Sequence, residues 1–220
     1  MIKQLVTVAI LFFTVTLSAQ EITSSPYSFF GIGVQKFKGT AENRSMGGLS
    51  IASDSIHVNL QNPAGYGALR LTTYTIGVSH SETTISSNDA EDDLSNTNID
   101  YLAIGIPAGK LGFGLGIVPF TSVGYQLENV DEFGANEFSG RGGLNKLFLA
   151  AGYQLTENLR LGVEGSYNFG NIQNRSINFQ NDIQFGTREI NRSDLSGFKM
   201  KFAAQYEQMV TKKLQLTASA

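Results

Sequence analysis

Chemistry in this chain has few residues to draw on. His57 and His80 are its only histidines, and it has no cysteine at all. A zinc centre needs three or four His, Cys or carboxylate ligands at short, regular spacing, and no such spacing occurs. Disulfides, thiolate metal sites and a cysteine-linked lipid anchor are excluded outright. "GIPAGKL" (105–111) is one residue short of a phosphate-binding loop and lacks the Ser or Thr that follows its lysine. "GLSIA" (48–52) is a partial nucleophile elbow, with Ala where the last Gly belongs. A lipid hydrolase would need a serine facing a histidine, and the one available, His80, falls in the apolar phase of its strand. The expectation is no catalytic residue, no cofactor and no metal, hence no enzyme.

Two charged groups remain. Glu82, Asp89, Glu91, Asp92 and Asp93 form an acidic stretch whose oxygen ligands suit calcium, but "NDAEDDLSN" lacks the ordered glycine of an EF-hand loop. A solvated loop is the expectation for such a run. The second group is Lys146, Arg160, Glu164, Lys199 and Lys201, which share one phase of the alternating segments described next. Two roles stand open for them: guiding a ligand carboxylate, or pairing with one another and with the segment before the first strand.

The elements that would position these charges are strands. From residue 71 onward apolar and polar residues alternate with period two, which predicts strands at about 71–81, 98–106, 111–120, 145–154, 159–170, 197–207 and 214–220. The connections alternate too: 82–97, 121–144 and 171–196 read as long loops, and 107–110, 155–158 and 208–213 as tight turns. In the segment from Leu159, Leu161, Val163, Tyr167 and Phe169 share one face, and Arg160, Gly162, Glu164 and Ser166 the other. Phe198, Met200, Phe202 and Tyr206 stand likewise against Lys199, Lys201 and Gln205, and Leu111, Phe113, Leu115 and Ile117 against Gly112, Gly114 and Gly116. Tyr101 breaks the pattern and is assigned to the polar face. Apolar residues toward lipid and polar ones toward a lumen is the layout of an outer-membrane barrel, as is the long-loop, short-turn rhythm. A soluble, secreted β-sandwich also alternates and is the competing fold.

The start of the chain agrees. Met1-Ile2-Lys3-Gln4 followed by the 13-residue apolar run "LVTVAILFFTVTL" and Ser18-Ala19 reads as a signal peptide, too short to span a bilayer as a helix. Later residues hold no run approaching the ~18 apolar residues of a membrane helix, so a membrane-embedded mature protein must be a barrel. A net charge of −3 with no basic run excludes a nucleic-acid partner. Residues 20–70, rich in Gly, Ser and Asn, read as a compact irregular segment with turns at Met46-Gly47-Gly48 and Asn62-Pro63-Ala64-Gly65. Pro119 either breaks the wall's ladder and opens a lateral gap beside Gly112, Gly114 and Gly116, or ends its strand at the rim, and the second is the expectation.

The stretches "SPYSFFGIG" (25–33), "RSMGGLSIASDSIHVNLQNPAGYGAL" (44–69), "GFGLGIVPF" (112–120) and "GYQLTENLRLG" (152–162) resemble the FadL/TodX family of outer-membrane transporters, in its Bacteroidetes form. The resemblance implies an all-β, transmembrane antiparallel barrel of about 14 strands, of which this chain supplies about seven. It implies a domain plan of signal peptide (1–19), N-terminal hatch or plug (20–70) carrying the hatch motif Asn62, Pro63 and Ala64, and barrel wall (71–220). The function implied is passive uptake of hydrophobic small molecules, such as long-chain fatty acids or aromatics, across the outer membrane of a Gram-negative bacterium. The partners would be outer-membrane lipid and the hydrophobic ligand. The alternative is a barrel that serves as a protein-secretion accessory or surface-interaction protein, with secreted protein as cargo.

Overall fold

A computed structural model describes residues 25–51, 53–86, 91–131, 134–180 and 185–220. The proposed signal peptide, the first residues of the hatch and Asp89 lie outside them. The chain folds as one antiparallel meander, β2 (Thr73–Ser86), β3 (Glu91–Ala108), β4 (Leu111–Asp131), β5 (Gly134–Gln154), β6 (Leu159–Gln180), β7 (Thr187–Thr211) and β8 (Leu214–Ser219), each paired with the next. A two-residue strand, β1 (Val34–Gln35), adds to β4. The result is an all-β half-barrel sheet of seven strands with residues 25–70 packed on its inner face. No described helix is long and apolar enough to cross a membrane, which leaves the strands untested.

Every predicted strand is present, but the three expected long loops are not loops. Residues 82–86, 91–97, 121–131, 134–144, 171–180 and 187–196 all continue the strands. β5, β6 and β7 therefore run to 21, 22 and 25 residues, about twice what a tilted strand needs to cross a bilayer. The reason is physical. In these extensions Asn, Gln, Ser, Glu and Arg interrupt the alternation, and the strands are held by their backbone ladder and by a small cluster of Val123, Tyr125 and Ile172. Glu82 and Asp93 accordingly sit in a hairpin, where Thr84 donates to Asp93 at 2.7 Å.

The tight turns fall where expected. Gly109 takes φ 68 between β3 and β4, a conformation glycine adopts without cost. Between β5 and β6, Thr156 Oγ1 accepts from the amides of Asn158 and Leu159 at 3.2 and 2.9 Å, while Asn158 Nδ2 donates across to the Glu207 carbonyl at 2.6 Å.

The two faces of the sheet differ sharply at the level where β3 pairs with β4. Outward stand Tyr74, Ile76, Val78, Phe113, Leu115, Leu147, Leu149, Phe198 (88% exposed), Met200 and Phe202, all exposed. Inward lie the buried Tyr101, Ala103, Val118, Phe148 and Ala150, clustered with Val58, Leu60, Tyr66 and Leu69 of the N-terminal segment. Tyr101 turns inward in phase with Ala103, its ring lying where a side chain on Gly77 would stand, and the bulge between Gly77 and Val78 then brings Ile99 to the outer face.

Candidate functional site: a seated segment and a forked wall

Residues 59–69 sit on a floor of glycines. Gly112 carries no side chain where a Cβ would come 1.8 Å from the Tyr66 carbonyl oxygen, and Gly114 leaves room for the Tyr66 ring. Gly152 underlies Gly67 and Pro63, and Gly162 underlies Pro63 and Ala64, with virtual Cβ contacts of 2.4 and 2.2 Å. Gly112, Gly114 and Gly116 are meanwhile regularly paired to β3 and β5. Gly112 supplies close approach of two backbones and Gly114 room for the Tyr66 ring, while the ladder through all three stays regular.

The Asn62-Pro63-Ala64 turn opens a 3-10 helix, Pro63–Ala68, every residue of which is buried. Asn62 caps it, accepting from the Ala64 amide at 3.0 Å, and proline at the first position loses no hydrogen bond there. Asn59 Oδ1 accepts from the amides of Gln61 and Asn62 at 2.9 Å each, and its Nδ2 donates to the Ser50 carbonyl at 2.6 Å. Gln205 of β7 ties the turn to the wall: its Oε1 accepts from Asn62 at 3.3 Å and its Nε2 donates to Ser53 Oγ at 2.7 Å. Each such bond contributes about 1 kcal/mol net, but each group left unpaired at this depth would cost more.

The five inner-face charges come together as two groups. Glu164, 3% exposed, lies 3.2 Å from Lys146 and 3.8 Å from Lys201. Lys201 also donates to the Gln61 carbonyl at 2.9 Å, joining the wall to the seated segment. Arg160 pairs with Glu207 at 2.9 Å and donates to Ser53 at 3.4 Å. Lys199 offers its backbone carbonyl to Ser166 Oγ. Its side chain, with Lys38, Lys146 and Lys201, lines a cavity of about 180 Å³ beside Leu60 and Phe120. Lys146, Arg160, Glu164 and Lys201 thus stand in ion pairs.

The wall itself forks. β3 pairs with β4 only from Leu102↔Ile117 to Ala108↔Leu111, although β3 stays paired to β2 as far as Glu91 and β4 to β5 as far as Asp131. Residues 25–44 occupy the fork. On the β4 side, the Ser25 amide donates to Gly124 O at 3.0 Å, Gly124 N–H to Ser28 Oγ at 3.1 Å and Lys36 N–H to Phe120 O at 3.1 Å. On the β3 side, the Ala41 amide donates to Tyr101 Oη at 3.1 Å, and Arg44 meets Asp100 at 3.2 Å. Tyr27 and Phe30 are 79% and 71% exposed here, while Phe29 packs edge-on against Tyr125 at 5.4 Å. Pro119 does not end its strand at the rim. It lies mid-strand at a bulge between Pro119 and Thr121, two residues past the last β3–β4 pair, because a bulge is where a strand tolerates a residue without an amide donor.

His57 Nδ1 lies 2.5 Å from Asp54, and His80 Nδ1 lies 2.8 Å from Thr97 Oγ1. The Asp54 side-chain hydrogen bond and charge raise the His57 pKa against a small opposing effect of burial. Burial pulls Asp54 upward, but the His57 amide, the His57 ring and the Ile56 amide outweigh it and hold the carboxyl below its ordinary value. Residues that alternation left unremarked do much of the positioning, namely Asn59, Ser28 and Tyr66. They belong to aperiodic sequence, and the only signal they carry is density of Asn, Gly and Ser.

No curated protein and no solved structure matches the chain. A family model does, over residues 1–220, and the family is BamG. That match corrects the resemblance to FadL/TodX transporters: the stretches that carry it encode an alternating wall with a small-residue segment seated on its glycines, an architecture that does not itself specify a ligand. The chain belongs to the BamG family, which is associated with the outer membrane.

Proposed function

We propose that this protein works in the outer membrane beside the barrel-assembly machinery, the BAM complex, as an accessory that engages protein rather than as a conduit for apolar solutes. The observation that carries this reading is the BamG match along the whole chain. Residues 1–19 serve as the export leader, residues 20–70 as a plug and residues 71–220 as membrane-spanning wall. The outer apolar belt supports the spanning role: from Leu161 to Phe169 on β6 and from Tyr206 to Phe198 on β7 it covers about 20 Å of height at ordinary strand rise and tilt.

The paired strand extensions beyond the belt offer a tall rim to a neighbouring protein, and the fork beside Pro119 is a place where the wall is closed only by a short strap.

The test is affinity purification of the tagged protein from outer membranes in mild detergent, combined with depletion in cells. The expected result is co-purification with the central BAM barrel and a loss of folded outer-membrane proteins on depletion, with oleate uptake unchanged. Normal outer-membrane protein levels with impaired oleate uptake would overturn the reading.

A further inference from the structure

We propose that Arg141, Arg175 and Arg188, on the extended parts of β5, β6 and β7, bind the phosphate of an outer-leaflet glycolipid. The inference rests on the membrane-spanning reading above. Cross-strand register sets Arg141 opposite Gln173, Ser139 opposite Arg175, and Arg188 opposite Ile177. β5, β6 and β7 pair without a register shift, so strand alternation carries these rows on the same face as Leu147, Tyr167 and Phe198 of the apolar belt. Belt and arginines thus share one continuous outward surface, apolar first and then cationic.

The chemistry fits a phosphate. The three guanidiniums and Gln173 line a cavity of about 340 Å³ in which Glu137 is the one carboxylate, leaving two positive charges in excess. Arg141 is held by a neutral partner, its Nε and Nη2 donating to Gln173 Oε1 at 3.2 and 3.0 Å. Arg175 Nε is buried with no acceptor. Among the described residues no carboxylate pairs with any of the three, whereas the neighbouring Arg192 is taken by Asp194 at 2.8 Å. Guanidinium forks match phosphate oxygens two at a time, which a lysine ammonium cannot do.

Height selects the lipid. Arg141 and Arg175 stand about six residues beyond Leu147 and Phe169, about 15 Å above the belt on a tilted strand. The interfacial layer of a phospholipid bilayer adds only about 5–8 Å per leaflet. Snorkelling arginines reach back part of that distance, and a phosphorylated sugar headgroup rises to meet them where a phospholipid headgroup falls short.

The test reconstitutes the protein, folded in detergent, into phosphatidylcholine nanodiscs containing bis-phosphorylated lipid A, and measures retained lipid A by native mass spectrometry. Wild type should retain it. Arg141→Gln/Arg175→Gln/Arg188→Gln should retain at least about tenfold less, and dephosphorylated lipid A should bind wild type equally weakly. Arg188→Gln alone, at an exposed position, should give a smaller loss and decides the matter if the triple variant shows no heat-shifted, folded band. Equal retention by the variants, or by dephosphorylated lipid, overturns the proposal. So does complete displacement of lipid A by millimolar inorganic phosphate, which would make this a free-phosphate site. A wild-type protein that folds but does not enter the discs overturns the membrane-spanning reading, and this proposal with it.

Discussion

Two parts of the N-terminal segment meet the same wall on different terms. Residues 59–69 are buried, capped and pressed against Gly112, Gly114, Gly152 and Gly162. Residues 25–36 cross the fork on a two-residue strand and a few backbone bonds, with Tyr27 and Phe30 turned outward. The difference teaches that the segment is one chain with two stabilities. Its second half is part of the core, and its first half is a strap held mainly by backbone bonds to β4. Local opening free energies track this kind of contrast in buried apolar contact.

The largest effect should come from filling the floor. Gly112→Val would place a side chain into the Tyr66 carbonyl, which is backbone and cannot swing aside. The expected outcome is loss of the folded, heat-shifting band in detergent, or a destabilisation of about 3 kcal/mol or more. A variant as stable as wild type would mean that residues 59–69 do not sit where they are placed. Next comes Glu164→Gln, which leaves Lys146 and Lys201 facing each other without their shared carboxylate. Removing one partner from a buried ion pair costs about 3–5 kcal/mol, read as an earlier midpoint in urea unfolding. An additional Lys146→Met should restore part of that loss.

The strap should respond differently. Ser28→Ala removes the acceptor for the Gly124 amide, a change of about 1 kcal/mol. Hydrogen exchange in residues 25–36 should speed up while exchange in 59–69 and the unfolding midpoint stay unchanged. If both regions speed up together, the comparison of two stabilities fails. The smallest effect concerns the Asp54–His57 turn at the edge of the seated half. His57, its pKa raised in the folded state, contributes stability that is fully present below about pH 6.5 and is lost as pH rises through the raised value. Asp54, lowered, contributes above its unfolded value of 3.8 and loses that contribution as pH falls through its folded one. An NMR titration of the His57 ring should therefore show a raised midpoint that Asp54→Asn returns to the ordinary range.

Legibility from sequence followed the environment of each stretch. Phe198, Met200 and Phe202 stand outward and alternate with Lys199 and Lys201, which line the inner cavity, and that alternation makes β7 readable there. A few residues earlier, "TREINRSDLS" runs through the same strand with polar side chains on both faces, and nothing in it distinguishes a strand from a loop. Pro119 misled for a related reason. Proline at a strand end and proline in a bulge look identical until the partner strand is known. The charges Lys146, Arg160, Glu164, Lys199 and Lys201 share one phase of the alternation, as does Glu207, yet Gln61 and Ser53, which also bind them, lie in aperiodic sequence and share no local pattern with them.

The sequence by itself determined the order of strands, their inward and outward faces and the tight turns, because these depend on period-two alternation and on turn residues within a few positions of one another. Only the tertiary structure decided that the polar extensions stay paired, that β3 and β4 part above Leu102, and that residues 25–36 fill the gap while 59–69 rest on glycine. Those features depend on which backbones come within a few ångströms, a long-range matter that local side-chain chemistry permits but does not specify.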